Sequence, residues 1–464
     1  MNNELDANAK REINRELRPI HYLGSKLRML DTIGDVIDHV APLSGRICDL
    51  FSGSGTVSRY LSERHPVTAV DIQEYSRVLC SAVLFTPKLA VPPDELVEKI
   101  KSSEALANLK DAFSPILEFE KRAFFLAEHG DIDALYSIIE HGSFVAIADY
   151  TEETDLHDAI KESIERLKCR NIFNSPISMV TRYFGGLYFS YEQTIWMDAT
   201  LEYIFQITTD NLPLRDMLLA ATASAVSEVV DTIGKQFAQP LQVRKHDGSP
   251  KRQLLKKILA DRSMSFMTIF EEWLKAYDTL QPSPFCNHKV LRMDYKDALS
   301  EMVNSDVTAV YADPPYTRYH YSRYYHVLET ICLRDMPEVS TTFPNGTKLS
   351  RAIYRKDRHQ SPFSIQSQAG TAFELLFADV SKLRVPFVLS YSPFSEGSKS
   401  VPRMQTIEQL IEKASQYYEN VEVVSPGHFT HSKLNSTAKN FEALQDAERL
   451  IICQKVRKRG RSYK

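Results

Sequence analysis

Residues 46–72 read RICDLFSGSGTVSRYLSERHPVTAVDI. RICDLF is an apolar run of strand length carrying one acid, Asp49. Gly53 and Gly55 lie in the turn behind it, and GTVSRYLSER has helical character. VTAVDI is a second short apolar strand that again closes on an acid, Asp71. Strand, glycine turn, helix and strand in that order begin a βαβ unit. Glycines accept positive φ and let backbone approach a ligand closely. An acid about 20 residues beyond such a turn can take the hydroxyls of a ribose. Dinucleotide enzymes and S-adenosylmethionine enzymes share this geometry, so the stretch alone does not choose between them.

On the N-terminal side, RPIHYLGSKLRMLDTIGDVIDHVAP (18–42) is a glycine-containing loop running into an amphipathic helix. Leu27, Leu30, Ile33, Ile37 and Val40 share one face, and Pro42 and Gly45 end it. On the C-terminal side the pattern changes. Residues 91–285 are a series of helical stretches, including DELVEKIKSSEALANLKDAF, DLHDAIKESIERLKCR and DMLLAATASAVSEVVDTIGKQF. Strand character resumes with HKVLRMDY and TAVYADPPY, then VPFVLSYS, VEVVSP and RLIICQK. The expected architecture is an α/β domain, residues 18–90 plus 286–455, interrupted by a mainly helical insert at 91–285. A polar tail (1–17) and a basic tail (456–464) flank it.

Bulk properties restrict the function less. The 464 residues carry a net charge of −4, with 43% hydrophobic and 25% charged residues, which suits a globular protein with a sizeable core. A small DNA-binding module is usually strongly basic; a large enzyme can hold a basic groove within a mildly acidic total. No two of the six cysteines are spaced as a C-x-x-C pair, so they read as reduced thiols, and no metal site is expected. The N-terminus is polar, unlike a signal peptide, and no run reaches the roughly 18–20 apolar residues of a membrane span. A cytoplasmic protein without membrane contact is the expectation.

TAVYADPPY decides the chemistry. A strand here delivers Asp313, Pro314, Pro315 and Tyr316 to its C-terminal end, the edge where open α/β sheets bind ligands. Prolines remove backbone donors and stiffen the chain, leaving the Pro314 carbonyl and the Asp313 carboxylate as adjacent acceptors. Two acceptors side by side suit an –NH2 group, and Tyr316 offers a ring for a planar base.

With these motifs the chain resembles the Dam-like, α-order DNA adenine-N6 methyltransferases. Tyr22-Leu23-Gly24-Ser25-Lys26 is similar to the family's aromatic-x-G-G-K, departing at Ser25 and Tyr22; DLFSGSG at 49–55 and DPPY at 313–316 match. The resemblance implies a Rossmann-like S-adenosylmethionine-dependent sheet with an inserted target-recognition domain. It implies that Tyr22, Lys26, Asp49, Phe51, Gly53, Gly55, Asp71 and Asp294 bind S-adenosylmethionine. It also implies that Asp313, Pro314, Pro315 and Tyr316 hold a flipped-out adenine for direct in-line methylation at N6. Double-stranded DNA is the implied partner, with a cognate restriction or defence subunit beside it. Cytosine N4 stays open as the target, since its family members more often have Ser where Asp313 stands. RNA or protein methylation, or a non-catalytic DNA-binding subunit of a defence complex, are the further alternatives.

DNA-contact candidates fall in two stretches. YTRYHYSRYYH (316–326) interleaves aromatics with Arg318, Tyr319 and Arg323, and RKHDGSPKR (244–252) gathers Arg244, Lys245, Lys251 and Arg252.

Overall fold

The computed structural model describes residues 17–22, 24, 26–150, 153–342, 346–392, 403–425 and 448–457. Both tails fall outside this set, apart from Leu17, Val456 and Arg457.

Seven strands form one sheet: β1 (Arg46–Leu50), β2 (Val67–Asp71), β3 (Lys289–Arg292), β4 (Val307–Ala312), β5 (Phe387–Tyr391), β6 (Tyr418–Val424) and β7 (Arg449–Val456). Their order is β3-β2-β1-β4-β5-β7-β6. β1 pairs in parallel with β2 and β4, β2 with β3, and β4 with β5. β7 runs antiparallel to both β5 and β6. The chain works outward from β1 to β3, then returns to the middle and works outward from β4. The strand order therefore reverses between β1 and β4, which opens a crevice beyond their C-terminal ends.

The central strands are buried on both faces, which is why they read as continuous apolar runs. Alternation still sorts their side chains. Ile47 of β1, with Ala309 and Tyr311 of β4, joins one core. Cys48 and Leu50, with Val310 and Ala312, join the other, against Phe373, Leu376 and Phe377 of the helix Gln366–Lys382. The edge strand β3 is polar at both ends, as an unpaired edge requires.

The N-terminal helix spans Leu30–Val40 after a 3₁₀ turn, Leu27–Met29, and buries Leu30, Ile33 and Ile37. The named elements between Pro93 and Thr279 are all helical. Two expected helices are shorter than read. The stretch 94–113 breaks at Ser102, and Ser103 caps a new helix by accepting from Leu106 N. The helix Leu212–Val229 stops before Asp231, which turns inward to meet Arg262, and Gly234 then adopts φ 79°.

The range 91–285 does not have one core of its own. Residues 106–199 largely form a separate apolar cluster, joined by Leu241, Val243 and Ile258. Leu212–Val229 instead packs on Glu74–Phe85 and Phe266–Thr279, and Met217, Leu218 and Phe270 share a core with Tyr75 and Leu79. The later part of the interruption thus completes one helical layer of the sheet. Among the described residues, no helix is long and apolar enough to cross a membrane.

Candidate active site

The turn after β1 is shaped by three consecutive demands. Phe51, Gly53 and Gly55 all have positive φ, at 62°, 55° and 76°. A Cβ on Gly53 would stand 2.6 Å from the Tyr22 hydroxyl, so glycine is needed for both conformation and space. Asp49 lies beneath this turn, 1% exposed, and accepts from Ser58 Oγ at 2.5 Å. Burial pushes its carboxyl up to about 7, against the Ser58 hydrogen bond. Asp49 thus ties the turn to the following helix from below, and Gly53 and Gly55 likewise form backbone rather than the wall of the crevice.

Phe51, by contrast, lines the crevice, together with Tyr22, Asp71, Asp294 and Asp313. The crevice is open to solvent and holds about 810 Å³ of atom-free space, that open solvent included. Asp71 stands at the end of β2. Gly53 N donates to its Oδ2 at 3.0 Å and Gln73 N to its Oδ1 at 2.9 Å. Both oxygens are thereby fixed in direction; burial raises the carboxyl, opposed by these bonds. Asp294 caps the helix Tyr295–Glu301 through Lys296 N at 2.9 Å. Tyr22 stacks on Tyr325 with ring centroids 5.3 Å apart.

Lys26 meets the crevice-wall residue Asp313. It does not line the crevice. It is 5% exposed and its ammonium has three partners: Asp313 Oδ2 at 2.7 Å, Glu448 Oε1 at 2.9 Å and Gly24 O at 3.1 Å. A buried ammonium needs such pairing. The two carboxylates outweigh burial and hold Lys26 well above the usual lysine range. Burial, with repulsion from Glu448, pushes Asp313 up to about 6, and Lys26 pulls against both. Asp313 Oδ1 has no hydrogen-bond partner among the described residues. Asp313 therefore has one oxygen clamped and the other free on the crevice wall.

Pro315 also lines the crevice, and Pro314 is buried behind it. Tyr316 does not present an open platform. Its ring is 9% exposed, its hydroxyl donates to Glu448 Oε1 at 3.0 Å, and the Arg403 guanidinium lies 5.0 Å from its centroid.

Glu448 went unread in the sequence although it touches both Lys26 and Tyr316. It immediately precedes β7. Because β7 runs against its neighbours, its start lies at the edge where β4 and β5 end, with Arg449 opposite Tyr391. No local pattern carries that information. Tyr321 and His359, also on the crevice wall, were likewise not singled out.

The proposed DNA contacts are scattered. Arg318 and Tyr319 are exposed, and Arg323 is half-buried. Arg244 is neutralised within the insert by Asp133 at 2.9 Å and Glu140 at 3.2 Å. Lys251 and Arg252 donate to the Gln242 and Gly130 carbonyls, and Lys245 is exposed. None of the four lines the crevice.

Residues 22–194 match the family model described as D12 class N6 adenine-specific DNA methyltransferase. That segment holds Tyr22, Lys26, the 49–55 turn and Asp71, and stops before 313–316. The chain is 23% identical over 422 residues to the modification methylase LlaI of Lactococcus lactis subsp. lactis, covering 90% of this chain and 53% of that protein. It is 24% identical over 328 residues to the type II methyltransferase M.FokI of Planomicrobium okeanokoites, covering 69% and 38%. The chain spans about half, or less, of the length of these relatives.

Proposed function

We propose, from the match of residues 22–194 to the D12 class of N6 adenine-specific DNA methyltransferases, that this chain methylates N6 of adenine in double-stranded DNA. The observation that carries this is Asp313, with Oδ2 fixed by Lys26 and Oδ1 unpartnered on the crevice wall. The orphaned oxygen is an acceptor waiting for a donor. An exocyclic amino group has two N–H donors, one for Asp313 and one for the Pro314 carbonyl.

The crevice also fits S-adenosylmethionine. Three carboxylates, Asp71, Asp294 and Asp313, suit a cationic nucleoside, and Phe51 and Tyr22 supply apolar wall. When bound, the cofactor supplies an electrophilic methyl on a sulfonium. Asp71 is aimed to take its ribose and Asp294 its adenine. Lys26, Asp49, Gly53 and Gly55 act from behind the wall, holding the groups that touch ligands.

The target N6 is a poor nucleophile while its lone pair is delocalised into the ring. Accepting both N–H bonds favours a more tetrahedral nitrogen with its lone pair free for direct in-line attack. Preorganised acceptors of this kind act without reorganising during reaction. The extra proton on N6 after transfer can pass to the Asp313 carboxylate and on to water. The base is inaccessible within a duplex, so it must be flipped out. The names of the two relatives, a modification methylase and a type II methyltransferase, support a restriction–modification setting.

Expression in a host lacking adenine methylation, followed by modified-base sequencing, tests the proposal. N6-methyladenine at a defined motif is expected, and none with Asp313→Ala. Methylation confined to cytosine, or full activity in Asp313→Ala, overturns it.

A further inference from the structure

Outside the crevice wall, one pair of arginines meets no counter-charge among the described residues. Arg323 sits on the short helix Tyr321–Tyr324, and Arg358 on the segment that precedes the 3₁₀ turn Pro362–Ser364. Both guanidiniums lie over the same ring, Tyr354, at 5.1 and 5.2 Å from its centroid. Their charges are thus no more than about 10 Å apart, within range of mutual repulsion. Among the described residues neither meets a carboxylate. Arg323 donates to the Tyr354 hydroxyl at 3.2 Å. Arg358 donates to Ser340 Oγ at 3.4 Å and to the Arg355 carbonyl at 3.3 Å, while its Nε is buried with no partner.

Several other half-buried or buried arginines are balanced by an acid, whereas buried Arg59 and Arg182 are held by carbonyl, hydroxyl and sulfur acceptors. Arg77, Arg244, Arg262, Arg334 and Arg355 each meet an acid. Two histidines adjoin the pair without adding to its charge. His320 Nδ1 is buried without a partner, and burial with the neighbouring Arg323 and Arg358 lowers its basicity. His359 lines the crevice. Like charges gathered around an unsatisfied buried donor, with no acid to balance them, make a site for an anion.

Its position says which anion. Ser322 and His359 both line the crevice, and Ser322 Oγ donates to the His359 carbonyl, joining the two segments. Arg323 and Arg358 are their chain neighbours, so each begins about 3.8 Å further along the backbone from the wall. We propose that Arg323 and Arg358, organised by Tyr354, receive a backbone phosphate flanking the nucleotide that enters the crevice. This rests on the DNA-methylating reading above. A nucleotide drawn out of the stack carries its phosphates with it, so a phosphate clamp at the rim fixes how deep the base can enter. Arginine suits the task through its planar fork of donors.

The test is DNA binding by the full chain to a mixed-sequence duplex across a salt series, with S-adenosylmethionine affinity as the control for folding. Losing one phosphate contact lowers the slope of log affinity against log salt by about 0.9. That drop is expected for Arg358→Gln and for Arg323→Gln, with cofactor affinity retained. Unchanged slope and affinity in both variants, with intact cofactor binding, overturns the phosphate site but leaves the methyltransferase reading standing. Absence of DNA binding by the unaltered protein overturns both. If the glutamine variants fail to fold, the unaltered protein decides, assayed on methylated-site duplexes with single methylphosphonate linkages. Neutralising a phosphate beside the target adenine must weaken binding, and no loss at either flanking position overturns the proposal.

Discussion

Replacing Glu448 by glutamine keeps the shape of the side chain and its ability to accept from the Tyr316 hydroxyl, but removes one negative charge. Lys26 Nζ lies 2.7 Å from Asp313 Oδ2 and 2.9 Å from Glu448 Oε1. The two carboxylate oxygens are therefore separated by at most about 5.6 Å, the two contacts laid end to end. At an effective dielectric of about 20, like charges at that distance repel by about 3 kcal/mol, or about 2 pKa units. Asp313 is pushed up to about 6 in the intact site. Methyl transfer needs its carboxylate, so the rate should fall as pH drops through about 6. In Glu448→Gln, Lys26 turns wholly toward Asp313 and the repulsion is gone. Both effects move the acid limb to lower pH, by about 2 units.

The assay is single-turnover transfer of labelled methyl to a duplex substrate, which separates chemistry from product release. The rate at about pH 5, relative to its plateau, should rise from about a tenth to near unity. An acid limb that stays in place, or moves to higher pH, refutes the coupling of Glu448 to Asp313 through Lys26. The stability sign runs the other way from that of a typical surface carboxylate. Folded Asp313 binds its proton more tightly than the unfolded chain does. Its contribution therefore favours folding at low pH and is lost as pH rises through about 6.

Two further outcomes are expected. Gly53→Ala places a methyl 2.6 Å from the Tyr22 hydroxyl at φ 55°, a strain of about 1–3 kcal/mol. Calorimetry should show S-adenosylmethionine affinity reduced about tenfold or more, and unchanged affinity would contradict the reading of this turn. Arg262→Met strips the buried Asp231 of a partner at 2.8 Å and removes the side-chain donor from the Gly186 carbonyl, while the Phe189 carbonyl keeps Gly186 N. Breaking a buried pair costs about 3–5 kcal/mol. Lys257, 3.1 Å from Asp231, holds the loss near the lower end; a denaturant midpoint shift worth under about 1 kcal/mol would contradict this.

The seven strands and the amphipathic helix at 30–40 were legible because their signals are local. A doubly buried strand must be a short apolar run, and a helix on a core must repeat its apolar residues every three to four positions. The glycine turn and DPPY were legible for the same reason, since a tight turn and a stiffened loop are written in adjacent residues. The break at Ser102 was hidden because a capping serine and a helical serine look alike until the backbone direction is known.

What the sequence alone determined was therefore the inventory: strand, turn and loop, with Lys26, Asp49, Asp71 and Asp313 at their ends. What only the tertiary structure decided was which charge meets which. Lys26 faces Asp313 and Glu448 across separations of 287 and 422 positions. Arg323 and Arg358 meet over Tyr354 because two loops close on the same ring. A buried charge is held by whatever the fold brings within about 4 Å of it, and that depends on strand order and on the reversal of β7, which no stretch of neighbouring residues encodes.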